Sequence, residues 1–109
     1  MNYKVLSIPP FDKQLKRLAK KYPSLKLEFL ALVDSLEKDP HQGISLGNSC
    51  FKIRLAIASK GKGKSGGSRI ITHVVVTEQT VFLLSIYDKS ETDNLTDTEL
   101  KLLLSNVKA

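Results

Sequence analysis

Residues 69–76, RIITHVVV, constrain the fold more than any other stretch of this chain. The run is rich in β-branched residues and apolar on both alternating faces. Such a segment belongs in the middle of a sheet, with packed material on each side. The stretch before it, FKIRLAI at 51–57, reads differently. There Phe51, Ile53, Leu55 and Ile57 alternate with Lys52 and Arg54, which predicts a half-buried strand with two cations on its outer face. After TEQT, expected as a turn, VFLLSIYDK at 81–89 supplies another strand. With Phe82, Leu84 and Ile86 turned to the core, Ser85, Tyr87 and Lys89 turn the other way.

The flanks are mostly helical. YKVLSI at 3–8 is strand-like, and Pro9 and Pro10 end it. Phe11, Leu15, Leu18 and Tyr22 then recur at helical spacing until Pro23. Ser24 is placed to cap a second helix, with Leu25, Phe29, Leu32, Val33 and Leu36 on one stripe and Pro40 beyond its end. HQGISLGNS at 41–49 reads as a loop. Near the C-terminus, Thr96 and Glu99 are spaced for a capping box, Leu95 can staple onto Leu100, and Leu100, Leu103, Leu104 and Val107 form a stripe. The expected order is β-α-α-β-β-β-α. That is an α+β domain over residues 1–109, in which a three-stranded antiparallel meander carries helices.

Composition narrows the partners. The 109 residues are 41% hydrophobic and carry a net charge of +6. No acidic residue lies between Asp39 and Glu78, a stretch that holds Lys52, Arg54, Lys60, Lys62, Lys64 and Arg69. The excess charge therefore falls in one segment, which points to a polyanionic partner rather than to a surface charged only for solubility. Cys50 is the one cysteine, and its ordinary reading is a small buried hydrophobe. The N-terminus lacks a signal-peptide pattern, and no stretch approaches a membrane helix. We expect a cytosolic (cytoplasmic) protein with no membrane association, no metal and no cofactor.

Ala58 to Ser65 fits a relaxed phosphate-loop pattern, but that loop works by joining a strand to a helix, whose N-terminus surrounds the phosphates. Here GGSRIITHVVV follows, and a β-branched run cannot supply the helix. Asp88 is the one acid placed like a magnesium holder, and alone it is weak support. The segment is either a flexible connection or a cationic hairpin loop whose glycines let backbone N–H groups and lysines approach phosphates.

FKIRLAIASKGKGKSGGSRII followed by VFLLSIYDKSETDNL resembles the RelE/HigB branch of the RelE/ParE toxin superfamily, over residues 51–95. The resemblance implies a microbial-RNase-like α+β fold and the toxin of a type II toxin–antitoxin pair. Such a toxin cleaves mRNA in the ribosomal A site, is neutralised by a cognate antitoxin, and meets operator DNA only through that antitoxin. It also implies site residues. Lys52 and Arg54 match the basic pair that contacts RNA phosphates, Arg69 the arginine beside the scissile phosphate, and Lys89 a basic position after the last strand. Tyr87 and Glu91 fall in the segment where related toxins place site residues. Two departures stand out: Ser90 replaces a usual asparagine, and Leu95 lies near the position of an aromatic.

RNA carries its own nucleophile, the 2′-hydroxyl, so the protein must supply a proton acceptor, a proton donor and charge stabilisation. His41 sits in a loop, and His73 reads as a packed strand residue. The expected site is therefore cationic: Arg69 for transition-state charge, Lys52 and Arg54 for phosphate binding, and Tyr87 to position the nucleophile or stack on a base. Lys60, Lys62, Lys64 and Ser65 are expected to hold RNA, and which residue serves as general base or acid stays open. Two other functions fit the same charge pattern: a ParE-like, non-enzymatic inhibitor of DNA gyrase, and a nucleic-acid-binding module without toxicity.

Overall fold

Among the described residues, five strands form one sheet with three helices packed on it. The computed structural model describes residues 2–61, 66–92 and 94–107. Strand β1 (Lys4–Ser7) leads into helix α1 (Pro9–Lys21), and α2 (Leu25–Lys38) follows. Then come β2 (Ile44–Gly47), β3 (Cys50–Leu55), β4 (Ser68–Val75), β5 (Thr80–Asp88) and α3 (Asp97–Leu104). The expected meander β3-β4-β5 is antiparallel throughout. β1 adds itself in parallel to β5, Lys4 opposite Thr80, so the sheet order is β1-β5-β4-β3-β2. β4 and β5 are the interior strands, and Ile70, Ile71, Leu84 and Ile86 are fully buried, as the two-faced apolar run requires.

The 41–49 segment is more than a loop. Ile44–Gly47 pairs with β3 as an edge strand through a two-residue turn, in which Asn48 and Ser49 both have positive φ, 53° and 58°. That is the hairpin turn whose twist matches its strands. Gly43 is required where it stands. Its φ is +100°, and a Cβ there would lie 2.5 Å from the carbonyl oxygen of Lys52. A second departure lies in β5. The register shifts between Ile71 and Thr72, so Thr72 faces Leu83 and His73 faces Phe82. The period-two reading therefore holds for Leu84 and Ile86 but not for Phe82, which is half-buried while Leu83 is 2% exposed.

Local chemistry explains the helices. Pro9 and Pro10 occupy the first helical positions of α1, where a missing N–H costs nothing, so the helix starts earlier than its apolar periodicity. Phe11 and Leu18 are fully buried, and Phe11 stacks obliquely on Phe29 of α2 with ring centroids 5.6 Å apart. β1 stops opposite Leu83, and Gln14 of α1 continues the edge: its Oε1 accepts from the Ile86 N–H at 3.0 Å and from the Ser85 hydroxyl at 3.1 Å.

Ser24 flanks α2, but its hydroxyl does not cap the helix; it accepts from the Ser59 N–H at 2.9 Å and donates to Glu28 at 3.1 Å. The capping box of α3 is present as expected, Glu99 N–H to Thr96 Oγ1 at 3.1 Å and Thr96 N–H to Glu99 Oε1 at 2.9 Å. We expect Thr96→Ala to cost about 1 kcal/mol, visible as a melting point lower by a few degrees. An unchanged melting curve would mean that α3 does not depend on its cap.

Candidate active site

Directly opposed residues of an antiparallel sheet share a face. Arg54 of β3 pairs with Arg69 of β4, and Arg69 pairs with Tyr87 of β5. The three form one row across the sheet, and Lys52 stands two residues from Arg54 on the same face. The row runs from exposed to buried: Arg54 is exposed, Arg69 is 5% exposed and Tyr87 is 6% exposed. The Arg69 guanidinium donates to the carbonyl of Ser68 at 3.2 Å. α3 and the segment leading into it lie on this face, where Lys52 Nζ donates to Asn94 Oδ1 at 3.0 Å.

Tyr87 has two informative properties. Its hydroxyl is buried and has no hydrogen-bond partner among the described residues. An unpaired buried O–H is a cost that native proteins rarely leave without a reason. Burial also pushes its pKa up, partly offset by the charge of Arg69. Tyr87 thus keeps its proton and is suited to donate a hydrogen bond rather than to act as a base.

The opposite face of the same strand end is a clamp. Asp88 is fully buried and accepts from Lys60 Nζ, from the Tyr22 hydroxyl at 2.6 Å, and from the Ser90 N–H at 2.9 Å and hydroxyl at 2.8 Å. Burial alone would raise its pKa, but the bonds from Lys60, Tyr22 and Ser90 outweigh it and hold the carboxyl well below the usual carboxylate range. The root of the glycine-lysine segment, a short 3-10 turn at Ala58–Lys60, is held from α2 as well, because the Ala58 N–H donates to Glu28 Oε2 at 2.6 Å.

The expected site residues therefore separate. Lys52, Arg54, Arg69 and Tyr87 come together on one face. Lys60, expected to reach RNA, instead spends its charge on Asp88, and its side chain is 9% exposed. Glu91 engages α1: it pairs with Arg17 at 3.0 Å and Lys21 at 3.8 Å. The Arg17 hydrogen bond, chiefly, lowers its pKa and makes it a weaker base. Lys89 is half-buried, and its N–H donates to the Gly67 carbonyl at 3.1 Å. Lys62, Lys64 and Ser65 lie outside the described residues.

Asn94 escaped the sequence reading, and so did the part that Asp88 and Ser90 play in the clamp. Asn94 had no signal beyond its place in a polar turn. Asp88 and Ser90 did carry one: an acid ending an apolar strand needs buried partners, and Ser90 is one of them.

The chain as a whole matches known proteins. The model of a toxin family, described as the RelE toxin of the RelE/RelB toxin–antitoxin system, matches residues 11–108. The chain belongs to the RelE toxin family. Solved structures agree on the fold at 16% identity. An arginine double mutant of the E. coli toxin RelE in the free state superposes with TM-score 0.61 over 97% of this chain and 94% of that one. The RelBE2 toxin–antitoxin complex from Mycobacterium tuberculosis gives 0.56, covering 81% of this chain and 92% of that chain. The isolated E. coli RelE toxin gives 0.51, covering 96% and 99%. Among the described residues, no helix is long and apolar enough to cross a membrane.

Proposed function

We propose that this toxin is a metal-independent endoribonuclease that cuts mRNA on the ribosome, in the A site, and is held inactive by a cognate antitoxin. The observation that carries the reading is the row Arg54, Arg69 and Tyr87, with Lys52 beside it. In the reaction the 2′-oxygen attacks the adjacent phosphorus, its proton passes to an acceptor, and the 5′-oxygen leaves with a proton. The intermediate phosphorane gathers negative charge. Arg69, nearly buried and flanked by a second guanidinium, offers a fixed planar fork to that charge in a poorly hydrated place. Lys52 and Arg54 hold the flanking phosphates. Tyr87 stands in the same row with a protonated, buried hydroxyl, which can bond the scissile phosphate or the leaving oxygen only once bound RNA has opened a path to it. A cognate antitoxin as partner is supported by the family and by the RelBE2 complex among its structural neighbours.

The decisive experiment is primer extension on cellular mRNA after induction. Cuts confined to translated regions are expected. Intact mRNA beside a loss of supercoiling would instead assign the toxin to gyrase. Within this reading, Tyr87→Phe is expected to lower cleavage about 10-fold or more, the loss of one hydrogen bond to a charged group. The same change should leave the melting temperature equal or slightly higher, since it deletes an unpaired buried hydroxyl. A variant that melts early and cuts normally would remove Tyr87 from the site.

A further inference from the structure

Helix α1 carries a second, separate concentration of charge. Its 13 residues include Lys13, Lys16, Arg17, Lys20 and Lys21 against one acid, Asp12. Charge counted over the chain outside residues 40–77 hides this, because acids elsewhere cancel it. At roughly 100° per residue, the five cations fall within an arc of about 140°, opposite Phe11, Leu15, Leu18 and Tyr22. Phe11 and Leu18 are fully buried, so the cationic arc points away from the sheet, and all five cations are exposed.

Ordinary explanations cover only part of the arc. The helix dipole favours Lys20 and Lys21 in the last turn but gives Lys13 and Lys16 nothing. Glu91 pairs with Arg17 and Lys21, one carboxylate shared by two cations. No carboxylate among the described residues pairs with Lys13, Lys16 or Lys20, and these three repel one another at spacings of three, four and seven residues. A surface kept for solubility mixes signs instead. Lys26 of α2 lines the same groove as Lys16 and adds a further cation; Asp12, which also lines it, accepts from the Ser7 hydroxyl.

The arc belongs to the helical hairpin, and only its Arg17 and Lys21 reach the segment after β5, through Glu91. The helical hairpin covers the sheet face that carries Asp88, whereas Arg54, Arg69 and Tyr87 occupy the other.

We infer that the outer face of α1 binds the phosphate backbone of folded RNA, a wall of the cleft in which the toxin sits while its sheet face meets the strand to be cut. This rests on the ribosomal reading above and adds a contact surface to it. Affinity for the ribosome then depends on α1, whereas the cutting step depends on Arg69.

The test uses the full-length protein and two probes, the purified small ribosomal subunit and its RNA stripped of protein. Binding is measured from 50 to 200 mM salt for the natural protein and for a Lys13→Gln, Lys16→Gln, Lys20→Gln variant, with circular dichroism as the control for folding. The variant should bind both probes about tenfold or more weakly at low salt, and its log–log salt slope should be shallower by about 2, the share of three phosphate contacts. Unchanged affinity and slope overturn the inference, as does failure of the natural protein to bind. A fall on the subunit alone would assign the face to a ribosomal protein and also overturn it. Absent cleavage with α1-dependent binding intact would sink the nuclease reading and leave this one standing.

Discussion

Replacing Arg69 with alanine is expected to abolish growth arrest on expression and to cut mRNA cleavage about 10²- to 10³-fold. The size follows from where the residue sits. Arg69 is 5% exposed, between the exposed Arg54 and the buried Tyr87, so its charge acts where water screens it least. Arg69→Lys should recover only part of the activity, because an ammonium keeps the charge but loses the planar fork. Growth arrest, primer extension and a thermal melt read the three consequences separately. A folded Arg69→Ala variant that arrests growth and cuts mRNA as before would remove the central residue of the mechanism.

The largest effect on stability is expected at Asp88. Asp88→Asn leaves the Lys60 ammonium 9% exposed without a counter-charge, and breaking a buried pair in this way costs about 3–5 kcal/mol. The melting temperature should fall by more than about 10 °C. The pH dependence follows from the direction of the shift. The carboxyl is held lower in the folded protein than in the unfolded chain. Its stabilisation is therefore complete above about pH 4, the unfolded value. It is lost as the pH falls from there through the depressed folded value. The gap in stability between the natural protein and Asp88→Asn should narrow on acidification below about pH 4. A gap that stays constant down to pH 2 would mean that Asp88 is not the charged centre of the clamp.

How much of this was legible in the sequence differs from element to element. The order of helices and the three central strands follows from periodicity, and the Thr96–Glu99 box from its spacing. Strand β2 did not, because Ile44–Gly47 is exposed along its whole length, and an edge strand without a buried face leaves no alternation to read. Its hairpin turn was equally quiet: Asn48 favours a left-handed backbone, but Ser49 does not advertise it. Lys52 and Arg54 were placed on one face by alternation alone. That Arg69 lies beside Arg54 depends on register, which the sequence of the connecting glycine-lysine segment leaves unspecified. Lys60 misled because it looks like its neighbours Lys62 and Lys64. What distinguishes it is the carboxylate of Asp88, 28 residues further along, which no local pattern shows. The Ser90 departure becomes intelligible in the same terms, since its hydroxyl bonds Asp88 and lies 3.3 Å from Lys60 Nζ.

The parallel pairing of β1 with β5 joins the first strand of the chain to the last. A protein made from its N-terminus onward cannot close that sheet until Asp88 has left the exit tunnel, and Tyr87 has no row to join before then. Lys4 waits for Thr80 through nearly the whole of synthesis. Non-local pairing of this kind slows folding. Under the ribosomal activity proposed above, the nascent polypeptide would lack the assembled row of Arg54, Arg69 and Tyr87 while it is still being made. The topology acts as a timer: the row is complete only once β5 has joined the sheet.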